Sequence, residues 1–171
     1  MGQNKALLPY RGIPLAEFVA RTVAAAAGSA FLVGDPDRHR ALGFPVIADR
    51  HPDQGPLGGI ITAPDHSAAE WNLIIACDMR RVSAEFLASL LDRAEASAPD
   101  VLLPIGPSER PEPLCAVYHC RCLPVLQSAF AASERKITRA LAGLNTLKLL
   151  IPDAAPFQNV NTPEDWAAYA Q

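Results

Sequence analysis

After Asn72 the run Leu73-Ile74-Ile75-Ala76-Cys77 is apolar at every position, and it stops at Asp78. A strand without polar alternation must be covered on both faces, as strands between two helical layers are. The rest of the chain is punctuated to match. Pro14 opens a helical pattern with Leu15, Phe18, Val19, Thr22 and Val23 on one face, and Gly28 stops it. Residues 30–33 and 44–48 read as short strands, the first broken by Gly34-Asp35-Pro36. A turn-rich loop from Asp49 to Pro56 hands over to a helix from Leu57, in which Pro64 should end or kink the helix. Ser83 caps a helix with Phe86, Leu87, Leu90, Leu91 and Ala94 along one side. Strands are expected over 101–105, 114–119 and 147–151, and helices over 121–132 and 137–144. Thr162 and Pro163 make a capped start for a last helix. Strands alternating with helices give an α/β fold with a mostly parallel sheet, and one domain over residues 1–171.

Composition narrows the function. The chain has 171 residues, half of them hydrophobic, which is enough for one well-buried core. Net charge is −3 and no basic stripe is present, so the electrostatic footprint of a nucleic-acid binder is missing. No apolar run approaches the roughly 18 residues of a membrane span. No secretory pattern opens the chain, so the expected location is cytoplasmic. Cys77 and Cys115 lie in apolar runs and read as core residues. Cys120 and Cys122 form a C-x-C pair that matches no common zinc spacing, and His39, His51, His66 and His119 are scattered.

In open α/β sheets, ligands bind beyond the carboxyl ends of the strands. That places Asp35, Asp49, Asp78 and the stretch 159–162 where chemistry is expected. Asp78 suits a magnesium ion, which takes one or two protein carboxylates plus substrate phosphate oxygens; its alternative is a turn or capping aspartate. Gly55-Pro56-Leu57-Gly58-Gly59 opens a helix whose N-terminus favours anions, or is an ordinary turn. The Asp49 carboxylate can accept two parallel hydrogen bonds, which the N1–H and exocyclic amine of guanine could donate. Lys5 is one of three lysines against twelve arginines; it suits a phosphate contact or is a solvated surface group. Asn159 and Asn161 supply more polar groups than the cap at Thr162 requires.

Taken in order, several segments resemble the molybdenum cofactor guanylyltransferases. They are Met1-Gly2-Gln3-Asn4-Lys5-Ala6-Leu7-Leu8-Pro9, Gly55-Pro56-Leu57-Gly58-Gly59-Ile60, Ala76-Cys77-Asp78-Met79, Pro113-Leu114-Cys115-Ala116-Val117-Tyr118, and Phe157 through Asp165. The resemblance implies a three-layer Rossmann-like nucleotidyltransferase fold and transfer of GMP from Mg-GTP to the phosphate of molybdopterin. It implies Mg2+ at Asp78, phosphate contact at Lys5, guanine reading at Asp49 with Gly55 and Gly59 shaping its loop, and pterin-side roles for Asn159 and Asn161. The family pattern begins with an apolar strand and a glycine-rich phosphate loop, of which Met1-Gly2 matches only the end. The expectation is therefore a sheet lacking its first strand, with two neighbours left open-edged, and little guanylyl transfer by the chain as written. Arg80 stands where proline is usual. A non-enzymatic nucleotide or pterin binder, and a cytidylyl or sugar-phosphate transferase, are the other readings.

Overall fold

A computed structural model describes residues 5–157. In chain order its elements are a 3-10 turn (Lys5–Leu7), β1 (Pro9–Tyr10), β2 (Ile13–Pro14), α1 (Leu15–Ala27), β3 (Leu32–Gly34), α2 (Pro36–His39), β4 (Val46–Ala48) and α3 (Pro56–His66). They continue as β5 (Trp71–Ile75), α4 (Ala84–Ser97), β6 (Val101–Ile105), β7 (Cys115–His119), α5 (Leu123–Ala131), α6 (Ile137–Ala140) and β8 (Thr146–Leu150). The final capped helix expected after Thr162 lies outside the described residues.

The predicted stops are visible as geometry. Gly28 ends α1 in the left-handed region at φ 79°, its N–H bonded to the Ala24 carbonyl. The Ser83 hydroxyl accepts from the Phe86 N–H at 3.2 Å and caps α4. Two expectations need correction. α3 does not end at Pro64 but runs on to His66. Proline removes one ladder bond there, close to the helix's end, and its ring is buried, while the Ser67 N–H still reaches Ala63 at 3.0 Å. The helix expected over 137–144 is only α6, because the chain turns through Gly143 at φ 87°. A feature absent from the sequence reading is the β1–β2 ribbon, closed by Arg11 and Gly12, both at positive φ.

The larger sheet has the order β5-β7-β6-β8, and β3 pairs with β4 in a separate parallel pair. β6 and β8 are parallel, whereas β7 is antiparallel to both β5 and β6. Thus β5, β6 and β8 share one direction and β7 opposes them. The physical reason is the connection: residues 106–114 carry no helix, and a parallel return needs a crossover of about a dozen residues or more. Side chains then divide by period two. Val101, Leu103, Ala116 and Tyr118 pack with Leu57, Ile60 and Leu126 on one face. Leu102, Cys115 and Val117 pack with Met79, Leu87 and Leu90 on the other. That is the expected pair of helical layers about one sheet. Each of these fully buried leucines contributes about 1.5–3 kcal/mol relative to exposure.

Both β3 and β5 are edge strands, and a cleft of about 430 Å³ lies between them. Leu32 and Val33 line one wall, Leu73 and Ile75 the other, with Val23 and Ile60 among the residues that close it. Among the described residues no strand pairs with either of these facing edges, so the central apolar run of β5 is only half buried.

A polar clasp holds the far end of the sheet. The Asp100 carboxylate accepts from Arg121 Nε at 2.5 Å and from the Asn145 N–H at 2.9 Å, while Arg121 also donates to the Ala98 and Pro99 carbonyls. The Arg121 hydrogen bond, then the Asn145 N–H, hold the Asp100 carboxyl below the usual aspartate range. A lowered folded-state pKa stabilises above the unfolded value, near 4, and the benefit disappears as pH falls through the folded one. Urea unfolding of the protein and of Asp100→Asn is therefore expected to differ by about 1 kcal/mol near pH 7, after discounting for solvent. The gap should close as pH falls through the lowered folded-state pKa of Asp100. A pH-independent gap would exclude the clasp as its source.

Candidate functional site

β5 ends at Ile75, and the chain turns at once: the Ala76 N–H bonds the Leu114 carbonyl at 2.8 Å and the Met79 N–H bonds Ala76 at 3.2 Å. Met79 and Val82 are buried in the layer beneath α4. Asp78 is thus held between an anchored residue and the exposed Cys77, at the carboxyl end of a sheet strand. Cys77 had been expected in the core; it is exposed because β5 stops two residues earlier and its tip borders the cleft. Cys115 is buried as expected, and burial pushes its thiol up to about 12.

Lys5 arrives from the other end of the chain. Its 3-10 turn is fixed by Ala6, buried against Ala16 and Leu42, and by the Leu15 N–H bonding Leu8 at 2.9 Å. The Lys5 ammonium lies 4.0 Å from Asp78 Oδ2, with the two side chains 37% and 21% exposed. A half-exposed pair at that separation contributes only about 0–1 kcal/mol to stability. It sets a cation and a carboxylate side by side just beyond the end of a sheet strand.

Asp49 follows β4 directly. Its Oδ1 accepts from the His51 N–H at 2.9 Å and lies 3.3 Å from the Thr62 hydroxyl, whose shorter contact, 2.9 Å, is to the Gly58 carbonyl. Among the described residues Oδ2 has no hydrogen-bond partner of its own. Gly55 sits at φ 84° and ψ 176°, a region essentially restricted to glycine, and it precedes α3. Gly59 borders the cleft, and nothing lies within 4 Å of where its side chain would start.

The residue that sequence reasoning passed over is Gly58. A Cβ there would stand 2.8 Å from His51 Cβ, 3.1 Å from the His51 carbonyl and 3.5 Å from Asp49 Oδ1. Two glycines inside a helix start were the available signal, since each costs about 1 kcal/mol against alanine and so needs a packing reason. Gly58→Ala is expected to destabilise the fold by about 1–3 kcal/mol and to displace the Asp49 loop. Gly59→Ala should leave the melting temperature unchanged or raise it. Thermal unfolding of the two variants compares them directly, and equal melting temperatures would refute the steric assignment.

The structure therefore brings Lys5 to Asp78, and Asp49 to Gly58 at the start of α3, while Cys77 and Gly59 line the cleft between β3 and β5. Asp35 is occupied otherwise, capping α2 through the Asp37 N–H and pairing with Arg38 at 3.0 Å. Asn159 and Asn161 lie outside the described residues. Among the described residues no group of three or more His, Cys, Asp or Glu side chains could hold a metal ion.

Comparison with known proteins bears on the family. Residues 1–147 match the MobA-like NTP transferase domain. A probable molybdenum cofactor guanylyltransferase of Nostoc sp. is 32% identical over 98% of this chain and 83% of its own. One from Deinococcus radiodurans is 31% identical over 97% of this chain and 85% of its own. Among solved structures, molybdopterin-guanine dinucleotide biosynthesis protein A from Archaeoglobus fulgidus superposes with TM-score 0.84 at 26% identity, covering 99% of this chain and 90% of that one. A 2-C-methyl-D-erythritol 4-phosphate cytidylyltransferase from Thermus thermophilus shares the fold alone, with TM-score 0.74 at 15% identity, covering 97% of this chain and 92% of that one. With a domain match over 1–147 and relatives above 30% identity along nearly its whole length, this chain belongs to the MobA-like NTP transferase family.

Proposed function

We propose that the chain transfers GMP from Mg-GTP to the phosphate of a molybdopterin-type cofactor, at the cleft between the tip of β5 and the start of α3. The observation that carries this is the Asp78 carboxylate 4.0 Å from the Lys5 ammonium at the end of a sheet strand. A phosphate oxygen of the pterin attacks the α-phosphorus, the bond to the β-phosphate oxygen breaks, and pyrophosphate leaves. Lys5 neutralises charge on the phosphates and holds them in line. Asp49 accepts from the guanine edge through Oδ2, on a loop turned by Gly55 and backed by Gly58, with Gly59 bordering the cleft. Asn159 and Asn161 are assigned to the pterin side.

The Asp78 carboxylate, beside the Lys5 ammonium, suits Mg2+, which keeps several waters and takes its remaining ligands from phosphate oxygens. Asp78 would hold it, and when bound it supplies charge neutralisation at the phosphoryl group. The partners implied are GTP and the pterin phosphate. Among the described residues no helix is long and apolar enough to cross a membrane. Residues 1–171 are read as one domain.

The test is transfer of label from α-phosphate-labelled GTP to molybdopterin, with CTP in parallel. Labelled dinucleotide and pyrophosphate are expected from GTP and not from CTP, at a low rate. Mg-GTP binding without product would favour the non-enzymatic binder, and product from CTP would reassign the base.

A further inference from the structure

The Asp49 loop does not stand alone; it is clasped by a segment far along the chain. The His51 ring packs on Phe130 with centroids 4.3 Å apart. The Arg135 guanidinium lies over the same Phe130 ring at 3.8 Å. One arm of that guanidinium, Nη1, donates to the Phe130 and Glu134 carbonyls at 2.8 and 2.9 Å. The other, Nη2, donates to Gln54 Oε1 at 2.8 Å, across from the end of α5 to the Asp49–Gly55 loop. Glu134 fixes the base of the arrangement by accepting from the Arg135 and Lys136 N–H groups.

We infer that Arg135 is a positioning residue for base recognition, holding the loop that carries Asp49 through Gln54, Phe130 and His51. The chain of contacts is continuous: Arg135 fixes Gln54 and Phe130, Phe130 packs the His51 ring, and the His51 N–H pins Asp49 Oδ1 at 2.9 Å. With Oδ1 pinned, Oδ2 is aimed. Capping the end of α5 would need only Nη1; the donation from Nη2 to Gln54 serves the loop. A guanidinium is suited to this because its planar fork donates in two directions while its face stacks on an aromatic ring, and lysine cannot do both. The inference rests on the reading of Asp49 as the guanine acceptor and adds the residue that sets its aim.

The experiment measures Kd for Mg-GTP and Mg-ITP, inosine triphosphate lacking the exocyclic amine, in the protein, Asp49→Asn, Arg135→Ala, Arg135→Lys and the Asp49→Asn/Arg135→Ala double variant. Arg135→Ala is expected to weaken GTP binding on the order of tenfold and to shrink the preference for GTP over ITP. Arg135→Lys should recover part of both, and it serves alone if the alanine variant does not fold. The double variant should bind GTP no worse than Asp49→Asn, since both changes remove one interaction. Additive losses, or an unchanged GTP-to-ITP preference in both Arg135 variants while Asp49→Asn loses it, would overturn the positioning role. An unchanged preference in Asp49→Asn itself would instead remove the base-reading role of Asp49, and this inference with it.

Discussion

Asp78→Asn is expected to lower the rate constant for GMP transfer on the order of 10²–10³-fold, the scale seen when one preorganised electrostatic contact to a reacting group is removed. Asp78 stands at a strand tip anchored by buried Met79, beside Lys5 at 4.0 Å. Asparagine keeps the size and the turn but loses the negative charge that would hold Mg2+ against the triphosphate. Because the pair with Lys5 contributes so little to stability, the melting temperature should fall by less than about 1 kcal/mol would imply. Loss of transfer with an intact fold is the signature. Comparable loss of both would mean that Asp78 is a structural turn residue.

The second large effect is expected at Asp49. Asp49→Asn leaves an oxygen for the His51 N–H but turns the other position into a donor, facing the donors of guanine. Losing hydrogen bonds to a charged acceptor costs about 1.5–3 kcal/mol, so Kd for Mg-GTP should rise on the order of 10–100-fold. ITP offers one donor fewer and should lose less, which a comparison of the two nucleotides in binding titrations reveals. Equal losses for both would place Asp49 away from the exocyclic amine.

Much of this was legible in the residues because burial on two faces has a plain signature. The run through Ile75 announced a strand inside two layers, and the polar residue after it announced the ligand end. Asp49 was legible for the same reason, as the first polar residue after β4. The approach of Lys5 to Asp78 was not, since periodicity gives elements and not their juxtaposition; only the resemblance suggested it. Gly58 escaped because its constraint comes from His51, folded back over the helix start. The placing of β7 between β5 and β6 depends on strand order, on which the alternation of apolar residues is silent. Arg135 reads in the sequence as one more surface arginine, and its meaning appears only when Gln54 and Phe130 are brought beside it.

The measurement closest to the central claim is the electron paramagnetic resonance spectrum of Mn2+ added with GTP to the protein and to Asp78→Asn. A carboxylate at this strand tip that seats a metal–nucleotide pair predicts immobilised Mn2+ with the unaltered chain only when GTP is present, and free or merely nucleotide-bound Mn2+ with the variant. Equal immobilisation of Mn2+ by both proteins would contradict it.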